Sequence, residues 1–245
     1  MLSAFAGGRL FGERYGSGTP RVLALHGWGR SHGDWSQVLE GFDAIALDLP
    51  GFGATPPPEA AWGLGEYADA VRPVLNEMGQ PIVLLGHSFG GSVAVRLASA
   101  VGPEAVRALV VTGSPLVRTR GGAKPPLAFR VARWLNARGL LRDSKMEELR
   151  NARGSADYRA ASGVMRDTLV RVVNEDVADL LPSLSVPIEL VWGENDHDVP
   201  VSVALTVCDL APAANLTRLE GVGHDTPAEA PERLRRVLVG LNEPA

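Results

Sequence analysis

Short apolar runs rich in β-branched residues alternate along this chain with stretches whose apolar residues recur every three or four positions. The runs at Val22–His26, Ala44–Asp48, Ile82–Gly86, Ala108–Thr112, Ile188–Trp192 and Leu216–Leu219 are predicted strands. They read as apolar on both faces, as strands do in a sheet covered on both sides. Helical patterns fall between them at Glu66–Met78, Gly91–Val101, Val201–Leu210 and Pro231–Leu241. Repeated strand–helix alternation predicts an α/β fold, a mostly parallel sheet with helices on both faces. Leu10–Tyr15 is a candidate antiparallel edge hairpin, and Pro56–Pro58 reads as a loop.

One segment breaks the rhythm. Leu116–Leu181 carries no strand signal but three amphipathic helical patterns, at Leu127–Arg138, Ser144–Arg153 and Tyr158–Asn174. A helical block between two sheet strands predicts a lid over the strand ends, so residues 1–115 and 182–245 form the core and 116–181 the lid. The lid holds 13 Lys/Arg against 8 Asp/Glu, whereas the remainder holds 11 against 20. The first reading of this excess is solvated helix faces, because the lid acids are interleaved with the bases. The other is a docking face for an acidic partner such as a carrier protein.

Composition narrows the class. A chain of 245 residues with 45% apolar content buries a full core and fits one α/β domain with an insertion. A net charge of −4 disfavours nucleic acid as a partner. The single Cys208 rules out an internal disulfide and a Cys-rich zinc site. No apolar run approaches the roughly 20 residues of a membrane helix. Met1–Gly8 lacks the basic start of a secretory signal. The expected location is the cytoplasm, with no membrane partner.

The strongest chemical signal is Gly86-His87-Ser88-Phe89-Gly90-Gly91, directly after a predicted strand and before a predicted helix. In that context G-x-S-x-G makes a sharp elbow that lifts the serine oxygen above the sheet. A serine hydroxyl is a poor nucleophile without a base. Of five histidines, His224 in Gly221-Val222-Gly223-His224-Asp225 follows the last predicted strand. That places it at the carboxyl end of the sheet, where ligand sites of open α/β folds lie. His87 sits inside the elbow and points away from the serine oxygen; His26, His32 and His197 end a strand or lie in loops. The base needs an orienting carboxylate. The loop after Trp192 offers Asp196, Asp198 and Glu194, and Asp196 is the preferred candidate. For an oxyanion, the candidate donors are the backbone N–H groups of Phe89, next to the serine, and of Trp28, flanked by Gly27 and Gly29. An acyl group would lie near Trp28, Phe89 and the lid residues Leu127, Phe129, Trp134, Val164 and Met165, which are equally explained by packing between lid helices. No nucleotide-binding fingerprint or metal-spaced histidine pair is present, so no cofactor and no metal are expected.

Together these blocks resemble the α/β-hydrolase fold superfamily. They are Leu25-His26-Gly27-Trp28-Gly29, Asp48-Leu49-Pro50-Gly51-Phe52-Gly53, the elbow, Trp192-Gly193-Glu194-Asn195-Asp196 and Gly223-His224. The first two are similar to those of the carboxylesterases that demethylate pimeloyl-carrier-protein esters. Related lid-bearing members include C–C bond hydrolases and a lyase of menaquinone synthesis. The resemblance supports Asp196 over Asp198 and implies the chain order nucleophile, acid, base. It disfavours epoxide hydrolase and dehalogenase chemistry, which take aspartate where Ser88 stands. It implies a serine hydrolase that cleaves a small-molecule carboxylic ester or thioester. The alternatives are a lyase, C–C hydrolase or acyltransferase on the same triad, or a ligand sensor without catalysis. One departure stands out: Asp225-Thr226-Pro227 follows His224, where the family often has an aromatic or apolar run.

Overall fold

The computed structural model describes residues 1–118, 131–132, 134–136, 138–152 and 155–242. Eight strands form one sheet: β1 (Leu2–Phe5), β2 (Leu10–Tyr15), β3 (Val22–Leu25), β4 (Ala44–Asp48), β5 (Ile82–His87), β6 (Val106–Thr112), β7 (Ile188–Gly193) and β8 (Ala214–Leu219). Their order is β1-β2-β4-β3-β5-β6-β7-β8. β1 and β2 pair antiparallel, β2 pairs antiparallel with β4, and the rest of the sheet is parallel.

The period of two along each central strand splits the core. Leu23 and Leu25 face one layer with Leu84, Val93 and Val203, while Val22 and Ala24 face the other with Trp35, Val83 and Leu234. Helix Leu64–Met78 buries Leu64, Tyr67, Ala68, Val71, Val74, Leu75 and Met78, the spacing of one helical face. Its first turn is closed by Glu66, whose carboxylate accepts from the Gly63 amide at 3.0 Å. It ends at Gly79, which has φ 67°.

Two expectations are corrected. The edge hairpin includes β1, which the small apolar start of the chain disguised. β8 is an edge strand whose residues are mostly exposed or half-buried, so its side chains are not apolar on both faces.

Between β6 and β7 the chain leaves the carboxyl end of the sheet and forms helices Asp143–Asn151, Ala156–Ala160 and Gly163–Val172. The expected single helix over 158–174 is broken because Ala161 is extended and Gly163 takes φ 52°. Of the helix expected at 127–138, residues 131–132 and 134–136 are helical, and 127–130, 133 and 137 lie outside the described residues. The insertion is fastened to the first turn of helix Leu64–Met78 and to Trp62 just before it. Glu175 accepts from the Leu64 amide at 2.8 Å, Thr168 Oγ1 accepts from the Trp62 amide at 3.2 Å, and Arg171 pairs with Glu66 at 2.7 Å. Among the described residues no helix is long and apolar enough to cross a membrane.

Candidate active site

β5 turns into helix Phe89–Val101 through Ser88, whose backbone sits at φ 50° and ψ −120°. Such a conformation costs a non-glycine residue on the order of 1–3 kcal/mol. It persists because the surroundings hold both backbone groups. The Ser88 amide donates to the Thr112 carbonyl at 2.9 Å. The Ser88 carbonyl accepts from the Gly91 amide at 3.0 Å and from Ser114 Oγ at 2.7 Å. Ser114 Oγ is in turn 3.1 Å from Ser92 Oγ. Gly90 makes the turn sterically possible, since a Cβ there would lie 2.3 Å from the Leu25 carbonyl oxygen of β3.

His224, in the loop after β8, reaches this elbow. Its Nε2 lies 3.2 Å from Ser88 Oγ and its Nδ1 lies 2.9 Å from Asp196 Oδ2. An ionised carboxylate only accepts, so Nδ1 carries the proton and Nε2 is left to accept from the serine hydroxyl. Asp196 is buried, 4% exposed, in the loop after β7. Its other oxygen accepts from the amides of Asp198 at 2.9 Å and Val199 at 2.7 Å. Asp198 itself is exposed and lines the adjoining cavity. Gly113 leaves the passage between serine and acid open, because a Cβ there would sit 3.1 Å from His224 Nδ1.

The electrostatics follow from this packing. Burial disfavours charge on His224, but the hydrogen bond and charge of Asp196 outweigh it, so its pKa is raised above the ordinary histidine value. Burial pushes the Asp196 carboxyl up, and the His224 hydrogen bond with the Val199 and Asp198 amides more than reverses it. The raised His224 pKa contributes stability that is present in acid and lost as pH rises through the folded value. The depressed Asp196 pKa contributes stability that is lost as pH falls through its folded value.

The other histidines are engaged elsewhere. His87 Nε2 donates to the His224 carbonyl at 3.0 Å, and burial followed by the neighbouring His224 lowers its pKa to about 4, so it is neutral at pH 7. His26 accepts at Nε2 from the Leu49 amide at 3.0 Å. His32 Nδ1 lies 2.8 Å from the buried Asp48, and His197 is exposed.

Ser88 opens into a cavity of about 390 Å³ whose walls include Trp28, Phe89, Val117, Leu169 and Val172. Phe89 is the first residue of its helix, where the amide has no intrahelical acceptor. Gly27 packs beside the elbow, a Cβ there lying 3.4 Å from Ser88 Cβ, and brings the next residue, Trp28, to the same cavity. Edge-to-face contacts of Trp28 with Phe89 at 5.4 Å and with Phe52 at 4.9 Å fix this wall.

The insertion contributes different residues from those expected. Trp134 is half exposed beneath Arg138, whose guanidinium lies 4.2 Å from its ring, and is not among the cavity walls. Val164 is half-buried and also absent from these walls, whereas Met165 lines a second cavity of about 290 Å³ on the Phe52 side of Trp28. Leu127 and Phe129 lie outside the described residues. Helix Gly163–Val172 turns Leu169 and Val172 toward the site because they share its buried face with Thr168.

Sequence reasoning also passed over Glu229. Its carboxylate accepts from the Gly223 amide at 2.7 Å and the Asp225 amide at 3.1 Å, the two amides flanking His224. Its position five residues after the histidine, next to Thr226-Pro227 at a helix start, was the available signal. Among the described residues no cluster of three or more His, Cys, Asp or Glu side chains is arranged to hold a metal ion.

A strand–elbow–helix serine faced by a histidine–carboxylate pair defines a hydrolase-type site at the carboxyl end of this sheet. The sequence pattern of the alpha/beta hydrolase family matches residues 22–237, and the chain belongs to that family. The chain is 27% identical to the 2-hydroxy-6-oxononadienedioate/2-hydroxy-6-oxononatrienedioate hydrolase of a Pseudomonas species, over 92% of this chain and 89% of that protein. It is 30% identical to the pimeloyl-[acyl-carrier protein] methyl ester esterase of Aeromonas salmonicida, over 86% of this chain and 91% of that protein. Among solved structures, a bromoperoxidase from Bacillus anthracis superposes with a TM-score of 0.75 at 20% identity, covering 99% of this chain and 100% of the other. That likeness is one of fold.

Proposed function

We propose that this protein is a serine hydrolase that cleaves a carboxylic ester or thioester through Ser88, His224 and Asp196. The observation that carries the reading is the continuous relay from Asp196 Oδ2 through His224 to Ser88 Oγ, opening on a cavity whose walls combine apolar Trp28, Phe89, Leu169 and Val172 with charged Arg118, Glu175 and Asp198. In this reading His224 takes the Ser88 proton as the serine oxygen attacks the carbonyl carbon. The amides of Trp28 and Phe89 hold the oxyanion. His224 then protonates the departing alcohol or thiol, leaving an acyl-enzyme. Water repeats the sequence and releases the acid. Asp196 keeps the proton on Nδ1 and stabilises the imidazolium. The methyl ester esterase relative supports the ester reading. The dienedioate hydrolase relative supports a second one, C–C bond cleavage on the same residues.

Turnover of p-nitrophenyl butyrate by the purified protein tests the first reading. Hydrolysis with an initial burst of nitrophenolate is the expected result. Because His224 must be neutral to accept the proton, and its pKa is raised, kcat/KM is expected to rise with pH to a plateau, with its midpoint above the ordinary histidine value. No hydrolysis of any ester, with cleavage of a 2-hydroxy-6-oxo-dienoate, would select the second reading.

Asp196→Asn is expected to lower kcat by about 10⁴-fold, because the amide favours the wrong imidazole tautomer. Asp198→Asn is expected to stay within about tenfold of wild type, since its side chain makes no bond to the imidazole. Equal losses in the two variants would refute the assignment of the acid.

A further inference from the structure

The departure after the histidine has a partner across the cleft. Asp225, the residue after His224, pairs with Arg30 at 2.9 Å. Arg30 lies two residues beyond Trp28 and is also held by Asp34 at 2.7 Å, in the short helical turn His32–Trp35. Asp225 Oδ1 is buried without a hydrogen-bond partner among the described residues, and its Oδ2 is the atom that meets Arg30. The pair spans 195 positions in sequence and joins the loop bearing the candidate oxyanion donor to the loop bearing the base.

Stability is a weak reason for the pair. Its side chains are 42% and 34% exposed, and exposed ion pairs contribute about 0–1 kcal/mol. Geometry is a stronger one. The base loop has two further anchors, Glu229 on its amides and His87 on its carbonyl, and both belong to its own helix or to the elbow. Only the Arg30–Asp225 pair, among these anchors, reaches the oxyanion loop.

We propose that Arg30 and Asp225 form a staple that sets the distance between the Trp28 amide and the His224 imidazole, making both of them positioning residues for chemistry at Ser88. The inference rests on the reading of Ser88 as nucleophile. The charged and titratable groups facing His224 are Asp196 and Asp198 from the loop after β7, His87 from the elbow, and Asp225 with its partner Arg30. Asp34 stands behind Arg30, and Glu229 behind the loop backbone. Removing Arg30 leaves the Asp225 charge uncompensated beside the imidazole and favours its protonated form. Removing Asp225 takes away a negative charge and favours the neutral form.

The test uses Arg30→Gln, Asp225→Asn and the double variant. It reads the rate of Ser88 labelling by a fluorophosphonate and the pH titration of the His224 ring by NMR, with the melting temperature as a check on folding. Each single variant is expected to label about tenfold more slowly, as a small misplacement of reacting groups does. The double variant is expected to label no more slowly than either single one. The His224 titration is expected to move to higher pH in Arg30→Gln and to lower pH in Asp225→Asn, which a loss of packing alone would not produce. Labelling within twofold of wild type, losses that multiply in the double variant, or titrations that move in the same direction overturn the staple. The esterase reading fails separately: a wild-type protein that labels but hydrolyses no ester removes it and leaves these comparisons intact. The NMR titration needs no reactive serine.

Discussion

Ser88→Ala is expected to reduce ester turnover by about 10⁶-fold while leaving the fold in place, and His224→Ala is expected to do nearly the same. The two losses will not multiply, because serine and imidazole act as one unit. With Oγ gone there is no atom for His224 Nε2 to deprotonate, and with the imidazole gone the hydroxyl 3.2 Å away has no base. Turnover of p-nitrophenyl butyrate and fluorophosphonate labelling, with circular dichroism to verify folding, measure this. A Ser88→Ala protein that retains labelling would place the reactive group elsewhere. The backbone at Ser88 adds a second readout. Its φ of 50° suits glycine better than any L-residue. Ser88→Gly and Ser88→Ala both lose the hydroxyl, so their difference isolates the backbone. Ser88→Gly is expected to be more stable than Ser88→Ala by about 1–2 kcal/mol, and an equal melting temperature would show that the elbow is unstrained.

Gly90→Ala is expected to harm folding strongly. The new methyl would meet the Leu25 carbonyl oxygen at 2.3 Å and the His26 carbonyl oxygen at 2.5 Å. Both belong to the backbone at the end of β3, which is paired on one side with β4 and on the other with β5. The Leu25 backbone cannot retreat without disturbing its pairing with β4 and β5. Overpacking of a rigid site costs about 1–3 kcal/mol or more, and here the upper end applies. A chain of this size loses roughly 2–4 °C per kcal/mol, so the melting temperature should fall by on the order of 10 °C. Gly240→Ala is the control. It lies in helix Pro231–Asn242 with nothing within 4 Å of the new Cβ, so about 0.5–1 kcal/mol of stabilisation is expected. Calorimetry on both variants checks the pair, and a Gly90→Ala protein as stable as wild type would mean that β3 and the elbow helix do not approach as closely as described.

Much of the core was legible in the chain because its signals are local. Val22–Leu25, Ala44–Asp48 and Ile82–His87 are continuous apolar runs between turn formers, and burial on both faces leaves such a pattern wherever the strand lies. The elbow was legible for the same reason: six adjacent residues carry its motif, although Thr112 and Ser114 hold its backbone. Leu216–Leu219 misled because an edge strand needs only one covered face. Leu2–Phe5 was missed because a strand of four residues draws its stability from pairing with β2, which no local pattern records.

The amino-acid sequence by itself determined the alternating α/β architecture, the serine on its turn and the short set of histidines and carboxylates able to serve it, since each depends on neighbouring residues. Only the tertiary structure decided which carboxylate meets His224, that Leu169 and Val172 rather than Trp134 and Val164 wall the cavity, and that Glu229 and Arg30 brace the loops around it. Those outcomes depend on contacts between segments up to 195 residues apart, and such contacts are selected by the packing of the whole sheet, which no single stretch of chain encodes.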